Sequence, residues 1–185
     1  MKTVLVLFAE GFEEIEAVTP VDVLRRAGAD VTTAGLAAGP VRGARGVVVL
    51  PDTDLASVAG RAFDLVVLPG GMPGAANLAE DPRVRDLVAG TLERGAMVGA
   101  ICASPALVLS AHGFLRGKRA TCHPATAEDM TEGEYVDERV VMDGAIVTSK
   151  GPGTALEFAL ALVDRLFGPG TARAVNEPMF GRVDN

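Results

Sequence analysis

One of the two cysteines, Cys102, lies where a short apolar segment meets the predicted start of a helix. The segment from Met97 to Ile101 is too short and too rich in Gly and Ala for a helix, so it predicts a buried strand. Ser104 and Pro105 are typical N-cap and N1 residues. Because free N–H groups at a helix start favour negative charge, we expect a lowered thiol pKa and a reactive thiolate. The alternative interpretation is a small buried apolar residue.

A second group that could do chemistry is Glu16, on a helix predicted to begin near Glu14. Helical spacing places it on the same face as three apolar residues, Pro20, Val23 and Ala27. Burial raises the pKa of a carboxyl, and a protonated Glu16 could then donate a hydrogen bond to a neighbouring thiolate. Glu13 and Glu14 are interpreted as acidic residues that stabilise the start of the helix.

Two further residues near a predicted turn could assist a cysteine. His123 precedes Pro124, which would hold it in a turn, whereas His112 lies at a predicted helix end and is interpreted as structural. Cys122 could act as a resolving thiol for Cys102. Side chains alternate along an extended segment, however, so Cys122 should face away from the site if His123 faces it.

Composition and charge limit the classes of protein that fit this chain. A length of 185 residues with 49% hydrophobic residues predicts one globular domain over residues 1–185. The formal charge of −7 argues against a nucleic-acid or anionic membrane surface, so small molecules or proteins are the expected partners. Two cysteines and two histidines without metal-ligand spacing predict free thiols and no metal site.

The N-terminus predicts a cytoplasmic protein rather than a secreted or membrane-bound one. The apolar stretch at residues 4–9 is followed at once by several glutamates, which the apolar core of a signal peptide does not tolerate. No segment approaches the roughly 20 apolar residues that a membrane-spanning helix needs.

Apolar strand-like segments alternate with helical ones along the chain, which is typical of a parallel α/β sheet. The predicted strands are residues 3–8, 30–33, 65–68, 97–101 and 145–149. The predicted helices are residues 14–27 and 82–94, a helix from residue 105, and residues 154–167. Residues 46–50 and 140–142 are interpreted as a peripheral hairpin or an edge pairing.

Four turns that follow predicted strands should meet in one crevice, because ligands of open α/β sheets bind beyond the carboxyl ends of the strands. These turns are residues 9–14, 69–74, 102–105 and 150–154. Gly70 and Gly71 let the backbone approach a ligand closely, so the N–H of Gly71 could face the cysteine. An ordinary tight turn is the alternative. The turn at residues 150–154 lacks the lysine and spacing of a phosphate-binding loop.

Five segments in this order resemble the ThiJ/PfpI superfamily, and specifically its DJ-1 branch. They read AEGFEEIE at residues 9–16, VDVLRRAG at 21–28, LPGG at 68–71, AICA at 100–103 and TSKGPGT at 148–154. The resemblance covers nearly the whole chain. It implies a flavodoxin-like α/β three-layer sandwich with a mainly parallel central sheet, and a homodimer.

The resemblance also implies roles for individual residues. Cys102 matches the family cysteine on a strained nucleophile elbow, Glu16 the glutamate bonded to that thiol, and His123 a nearby histidine. Gly71 and Ala103 match the positions whose N–H groups form the oxyanion site. Arg45 matches an arginine near the pocket and the dimer interface, with a solvated surface arginine as the alternative.

Two positions depart from the disease-associated member of this branch, and one expected acid is missing. Met72 replaces a polar residue after the Gly pair, and Leu50 stands where that member has an interface cysteine. The acidic third member of a protease-like triad, found in other branches, is not identifiable in this sequence. We therefore do not predict peptidase activity.

The chemistry implied by the resemblance is glutathione-independent conversion of 2-oxoaldehydes such as methylglyoxal to lactate or glycolate. Early glycation adducts on proteins or nucleotides are further expected substrates, and no cofactor is implied. Cys102 would attack the aldehyde, and Glu16 would move a proton between adjacent carbons. The alternative is an oxidative-stress sensor or chaperone that works through oxidation of Cys102. Both hypotheses require Glu16 and Cys102 to lie within hydrogen-bond reach.

Overall fold

The centre of the molecule is a seven-stranded sheet in a computed structural model that describes residues 1–181. From one edge to the other the strands are β10 (Val140–Asp143), β11 (Ile146–Ser149), β7 (Met97–Ile101), β6 (Leu65–Leu68), β1 (Thr3–Phe8), β2 (Asp30–Gly35) and β5 (Thr53–Asp54). All neighbours pair in parallel except β10 and β11. The predicted mainly parallel α/β sheet is confirmed.

Helices cover both faces of this sheet and enclose two apolar cores. One face packs against α1 (Glu14–Arg26) and α4 (Ala155–Phe167), and α5 (Pro169–Met179) packs on α4. The other packs against α2 (Gly74–Glu80), α3 (Pro82–Glu93) and a six-residue π-helix, Pro105–Ser110. Since central parallel strands are buried on both faces, their sequences are continuously apolar. The three layers are those of a flavodoxin-like sandwich.

Two α-helices of the structure were not predicted from the sequence. Helix α2 begins at a glycine, and α5 contains Gly170 and Pro178, residues with poor helix propensity. The helix predicted from Pro105 is present as the short π-helix. No helix among residues 1–181 is long and apolar enough to cross a membrane.

The peripheral strands form two small ribbons and one edge pairing. Strands β3 (Val41–Arg42) and β4 (Val48–Val49) form an antiparallel hairpin, within which lies part of the predicted segment 46–50. Strands β8 (Arg119–Ala120) and β9 (Glu134–Tyr135) pair in parallel. The predicted segment 140–142 lies in β10, which pairs with β11 at the edge of the central sheet.

The order of the strands places a crevice at the carboxyl ends of β1 and β6. The chain runs from β1 to β2 on one side, then returns to β6 on the other side of β1. Helices on opposite faces leave an opening at such a switch point, where ligands of open α/β sheets bind. The turns after β1, β6, β7 and β11 therefore meet at one end of the sheet.

Candidate active site

Cys102 lies on a backbone turn of a kind that side-chain-bearing residues rarely adopt. Its φ angle is 64°, in the left-handed region. Its N–H donates to the Ser149 carbonyl at 2.9 Å, and its carbonyl accepts from the His123 N–H at 2.8 Å. These two bonds hold the strained turn in place, a feature common at functional sites. The elbow expected from the resemblance is thus present at the end of β7.

The side chain of Glu16 is fully buried beside this thiol. Its Oε2 accepts the Gly70 N–H at 2.9 Å, and the carboxyl also interacts with the Cys102 thiol as a hydrogen-bond partner. Its Oε1 is buried without an N–H or O–H donor among residues 1–181. Burial, and to a smaller extent Glu13, raise the pKa of Glu16, and the hydrogen bonds from Cys102 and Gly70 oppose the rise, so that the pKa is about 7.

The thiol of Cys102 does not have the lowered pKa that the sequence predicted. Burial, and then the Glu16 carboxylate, raise the pKa of Cys102 to about 12, although the N–H groups of Gly71 and Ala103 lower it. The prediction was wrong because it considered how the start of the helix lowers the thiol pKa, but not how removal of water from the thiol raises it. Since the two groups interact, they titrate as a pair, and above pH 7 the pair keeps one proton.

The turn after β6 brings its backbone against both groups. A methyl group at Gly70 would lie 2.6 Å from Cβ of Cys102 and 2.7 Å from Oε2 of Glu16. Gly71 has a φ of +88°, and a methyl group there would lie 2.4 Å from the Glu13 nitrogen. Glycine is therefore required at both positions. The N–H groups of Gly71 and Ala103 face the thiol, as the resemblance implied.

Ser104 links this turn to the nucleophile elbow. Its buried hydroxyl donates to the Pro69 carbonyl at 2.6 Å. The sequence predicted Ser104 as an N-cap, but its side chain makes no capping bond. The hydroxyl instead joins the two segments that carry the Gly71 and Ala103 N–H groups. Sequence analysis missed this role, because the partner lies 35 positions away.

A cavity of about 390 Å³ opens onto Cys102. Its wall contains Cys102 together with Glu13, Ala44, Arg45, Gly71, Met72, Ala103, His123, Ala125, Thr126 and Pro152. Arg45, Gly71, Ala103 and His123 are thus brought to the cysteine. A larger cavity of about 600 Å³ lies near Phe8, but its wall contains none of the predicted site residues. We assign the site to the smaller cavity because the reactive groups lie there.

His123 is held in one orientation at the edge of this cavity. Its Nδ1 accepts the Ala125 N–H at 3.1 Å, so in the neutral ring Nε2 carries the proton. A methyl group at Gly151 would lie 3.5 Å from Cδ2 of His123 and 3.8 Å from Oε1 of Glu16. The histidine ring and the buried acid therefore approach the same point, next to Gly151.

Glu13 and Glu14 do more than stabilise the start of α1. Glu13 accepts the Glu16 N–H at 2.9 Å and also lines the cavity. Glu14 accepts the N–H groups of Arg45, at 2.7 Å, and Val47, at 3.3 Å. It thereby fixes the loop that carries Arg45 to the cavity wall. The four glutamates between positions 10 and 16 were the available signal for these roles.

The second cysteine faces away from the site. Cys122 is fully buried in the core on the opposite face of the sheet from the core against which Cys102 packs. The alternation argument is confirmed, and Cys122 is not placed to resolve Cys102. His112 contacts the Ala79 carbonyl at 3.0 Å, outside the cavity. Among residues 1–181 no group of three or more His, Cys, Asp or Glu could hold a metal ion.

Comparison with known proteins identifies the family of this chain. The model of the DJ-1/PfpI family matches residues 2–165. The chain is 44% identical to the Parkinson disease protein 7 homolog of Danio rerio over 96% of both chains. It is 42% identical to the glutathione-independent glyoxalase DJR-1.2 of Caenorhabditis elegans, again over 96% of both.

Solved structures extend the similarity to three dimensions. The crystal structure of Drosophila melanogaster DJ-1beta matches with a TM-score of 0.95 and 42% identity, covering 98% of this chain and 99% of that one. An oxidized Toxoplasma gondii DJ-1 matches with a TM-score of 0.96 and 36% identity, covering 99% and 100%. Sequence and fold thus show that this chain belongs to the DJ-1/PfpI family.

Proposed function

We propose that the protein is a cysteine-dependent, glutathione-independent glyoxalase and deglycase. Its substrates would be 2-oxoaldehydes of the methylglyoxal type and early glycation adducts, and its products lactate or glycolate. The observation that carries the proposal is a buried acid, Glu16, with a pKa of about 7 in contact with the Cys102 thiol. A general base works best when its pKa lies near the working pH. The name of the Caenorhabditis elegans relative supports the same reaction class.

The reaction would begin when Sγ of Cys102 attacks the aldehyde carbon. Glu16 takes the thiol proton and passes it to the former carbonyl oxygen, which gives a hemithioacetal. The raised thiol pKa makes this transfer necessary, because a thiol with a pKa of about 12 carries little thiolate by itself at neutral pH. The N–H groups of Gly71 and Ala103 stabilise the negative charge that develops beside the sulfur.

Glu16 would then act a second time, on carbon. Its carboxylate removes the hydrogen of the thiol-bearing carbon and returns it to the adjacent carbon through an enediol, which leaves a thioester on Cys102. Water hydrolyses the thioester, so lactate leaves and the thiol is restored. His123 lies where it can assist these proton transfers, and Arg45 where it can attract the developing carboxylate.

A glycation adduct would enter the same sequence with an amine as leaving group. The thiol displaces the amine from the adduct carbon, and the amine leaves with a proton. The later steps are unchanged, and the acid product is the same. No group beyond Glu16 and the residues of the cavity wall is needed for the proton transfers.

Lactate production from methylglyoxal tests the proposal. Wild type, Cys102→Ser and Glu16→Gln are compared without glutathione and in a buffer free of amines, with Cys122→Ser as the matched control. We expect loss of turnover in Cys102→Ser and a fall of about a hundredfold or more in Glu16→Gln. Cys122→Ser should keep its activity. Absence of lactate with fully reduced wild type would contradict the proposal.

The second candidate function is an oxidative-stress sensor or chaperone. The two N–H groups that suit an oxyanion also suit the oxygens of a sulfinate at Cys102. One similar solved structure is named as an oxidized protein. A sensor should gain a binding partner or change conformation when Cys102 is oxidised, whereas an enzyme should lose activity. The protein is treated with peroxide, and its lactate production and its binding or conformation are then measured. These two measurements distinguish the enzyme from the sensor.

We also infer a homodimer. Five exposed apolar side chains lie at the start of α1 and in the hairpin of β3 and β4, and they are Ile15, Val18, Val47, Val48 and Leu50. Glu14 bonds to Val47, so these two segments are neighbours. An apolar patch of this kind favours association with another protein surface. Arg45 lies in the same hairpin, so association would place a second copy close to the cavity.

A further inference from the structure

The wall of the cavity beside Cys102 has one large apolar side chain that is open to solvent. Met72 is 56% exposed, although it follows directly after Gly71, whose N–H faces the thiol. The other apolar groups on the wall are small: Ala44, Ala103, Ala125 and Pro152. Met72 is therefore the largest apolar side chain that a bound molecule could contact on the wall of this cavity.

The cavity is also larger than the smallest expected substrates. At about 30 Å³ for each water-sized group, the five non-hydrogen atoms of methylglyoxal need on the order of 150 Å³. The cavity holds about 390 Å³. Volumes of about 300–1,000 Å³ are typical of pockets for drug-sized ligands. A methyl or hydrogen substituent would leave much of the space filled with water.

We propose that Met72 forms a subsite for an apolar, preferably aromatic, substituent on the 2-oxo carbon of the substrate. The inference rests on the proposed function and narrows its substrate class to aryl and bulky alkyl 2-oxoaldehydes. An unbranched thioether adapts to the shape of its partner, and sulfur makes favourable contacts with aromatic rings. Covering Met72 with such a group removes apolar surface from water for both partners.

A first experiment tests the subsite without enzymatic turnover. Iodoacetanilide and iodoacetamide react with the same carbon, but only the first carries a phenyl ring. In both reactions the S–C bond forms at Cys102, iodide leaves, and the thiol proton is released. The rate at Cys102 is followed by mass spectrometry of the peptide and divided by the rate with free N-acetylcysteine.

We expect the normalised rate ratio of the two reagents to favour iodoacetanilide in wild type. In Met72→Gln the ratio should fall by about tenfold, the size of an apolar pocket contact. Met72→Leu should keep most of it. The matched control is Met142→Gln, because Met142 is 51% exposed on edge strand β10 and does not line the cavity. An equal ratio in wild type and Met72→Gln would overturn the proposal.

A second experiment uses turnover, and its outcome separates the two proposals. The value of kcat/KM is measured for phenylglyoxal and for methylglyoxal in the same variants. We expect wild type to prefer phenylglyoxal, and Met72→Gln to lose about tenfold of that preference. If neither aldehyde reacts while the alkylation ratio still depends on Met72, the proposed reaction is wrong but the subsite stands. If both aldehydes react and the ratio of their kcat/KM values is the same in wild type and Met72→Gln, the subsite is wrong and the proposed reaction stands.

Discussion

Glu16 and Cys102 lie 86 positions apart in the chain, yet their side chains form one buried acid and thiol pair. The strand order places them together, because α1 follows β1 and the cysteine ends β7, with only β6 between those strands. Gly70, in the turn after β6, is the residue whose missing side chain lets the two groups meet. The pair has one acidic proton to lose near neutral pH and a second that it keeps.

The raised pKa of Glu16 predicts how stability depends on pH. The carboxyl has a pKa of about 7 in the folded protein and an ordinary value of 4.5, so the folded state binds the proton more tightly. The contribution of Glu16 to the free energy of unfolding is fully present below pH 4.5 and is lost as pH rises through 7. The shift corresponds to on the order of 3 kcal/mol. Urea unfolding at pH 5 and pH 8 should show this loss in wild type and not in Glu16→Gln, and an equal pH dependence in both would contradict the assignment.

Ser104→Ala should weaken the reactivity of Cys102 as well as the fold. Removing the Ser104 hydroxyl leaves the Pro69 carbonyl without this donor. An unpaired buried polar group lowers the free energy of unfolding by about 1–3 kcal/mol. Ser110→Ala is the matched control, since that buried hydroxyl donates to the Glu132 carbonyl at 3.0 Å. Both variants should lose stability in urea. Only Ser104→Ala should alter the pH profile of Cys102 alkylation, and a similar change in Ser110→Ala would argue against the link.

A methyl group should have opposite effects at two glycines. Gly70→Ala would force apart the Cys102 and Glu16 side chains, so we expect a loss of about 1–3 kcal/mol and of most activity. Gly90→Ala, inside α3, would meet only the flexible end of Arg94 at 3.3 Å. It should stabilise the protein by up to about 1 kcal/mol through helix propensity. Thermal unfolding and lactate assays measure both, and an active, stable Gly70→Ala would contradict the packing described.

Hydrogen peroxide should oxidise one cysteine of the two. Cys102 is partly exposed and has the Gly71 and Ala103 N–H groups beside it, whereas Cys122 is fully buried in the opposite core. Peptide mass spectrometry after mild treatment should show added oxygen at Cys102 and an unmodified Cys122. Oxidation of Cys122 at a similar rate would mean that the core opens far more often than its burial suggests.

A charge in the exposed apolar patch should prevent dimer formation. Val48→Glu places a carboxylate among Ile15, Val47 and Leu50, so the cost of burying it should shift the protein to the monomer. Met142→Glu, at a comparably exposed position elsewhere, should leave the dimer intact. Sedimentation velocity distinguishes the two states. A monomeric wild type, or a dimeric Val48→Glu, would show that this patch is not the interface.

Much of the site could be predicted because its signals are local or periodic. A carboxyl on an apolar helix face predicted the burial of Glu16, and an apolar segment ending in a cysteine predicted the elbow at Cys102. The thiol pKa could not be predicted, because it depends on how much water the fold removes and on a neighbour from another strand. The hydroxyl of Ser104 and the carboxylate of Glu14 were misjudged for the same reason: their partners are distant in sequence.

The contact between the loops after β1 and β6 has a consequence for biosynthesis. The Glu13 N–H donates to the Gly70 carbonyl at 3.0 Å, and the Gly74 N–H donates to the Gly11 carbonyl at 3.2 Å. A growing chain emerges from the ribosome with its N-terminus first. Glu16 therefore leaves the ribosome well before Gly70 and Cys102, which lie against it in the folded protein. Until β6 and β7 have paired, its carboxyl stays hydrated and Cys102 is an ordinary thiol. The acid and thiol pair therefore forms only after the chain through β7 has been synthesised and has folded, so proton transfer between Cys102 and Glu16 is confined to the folded protein.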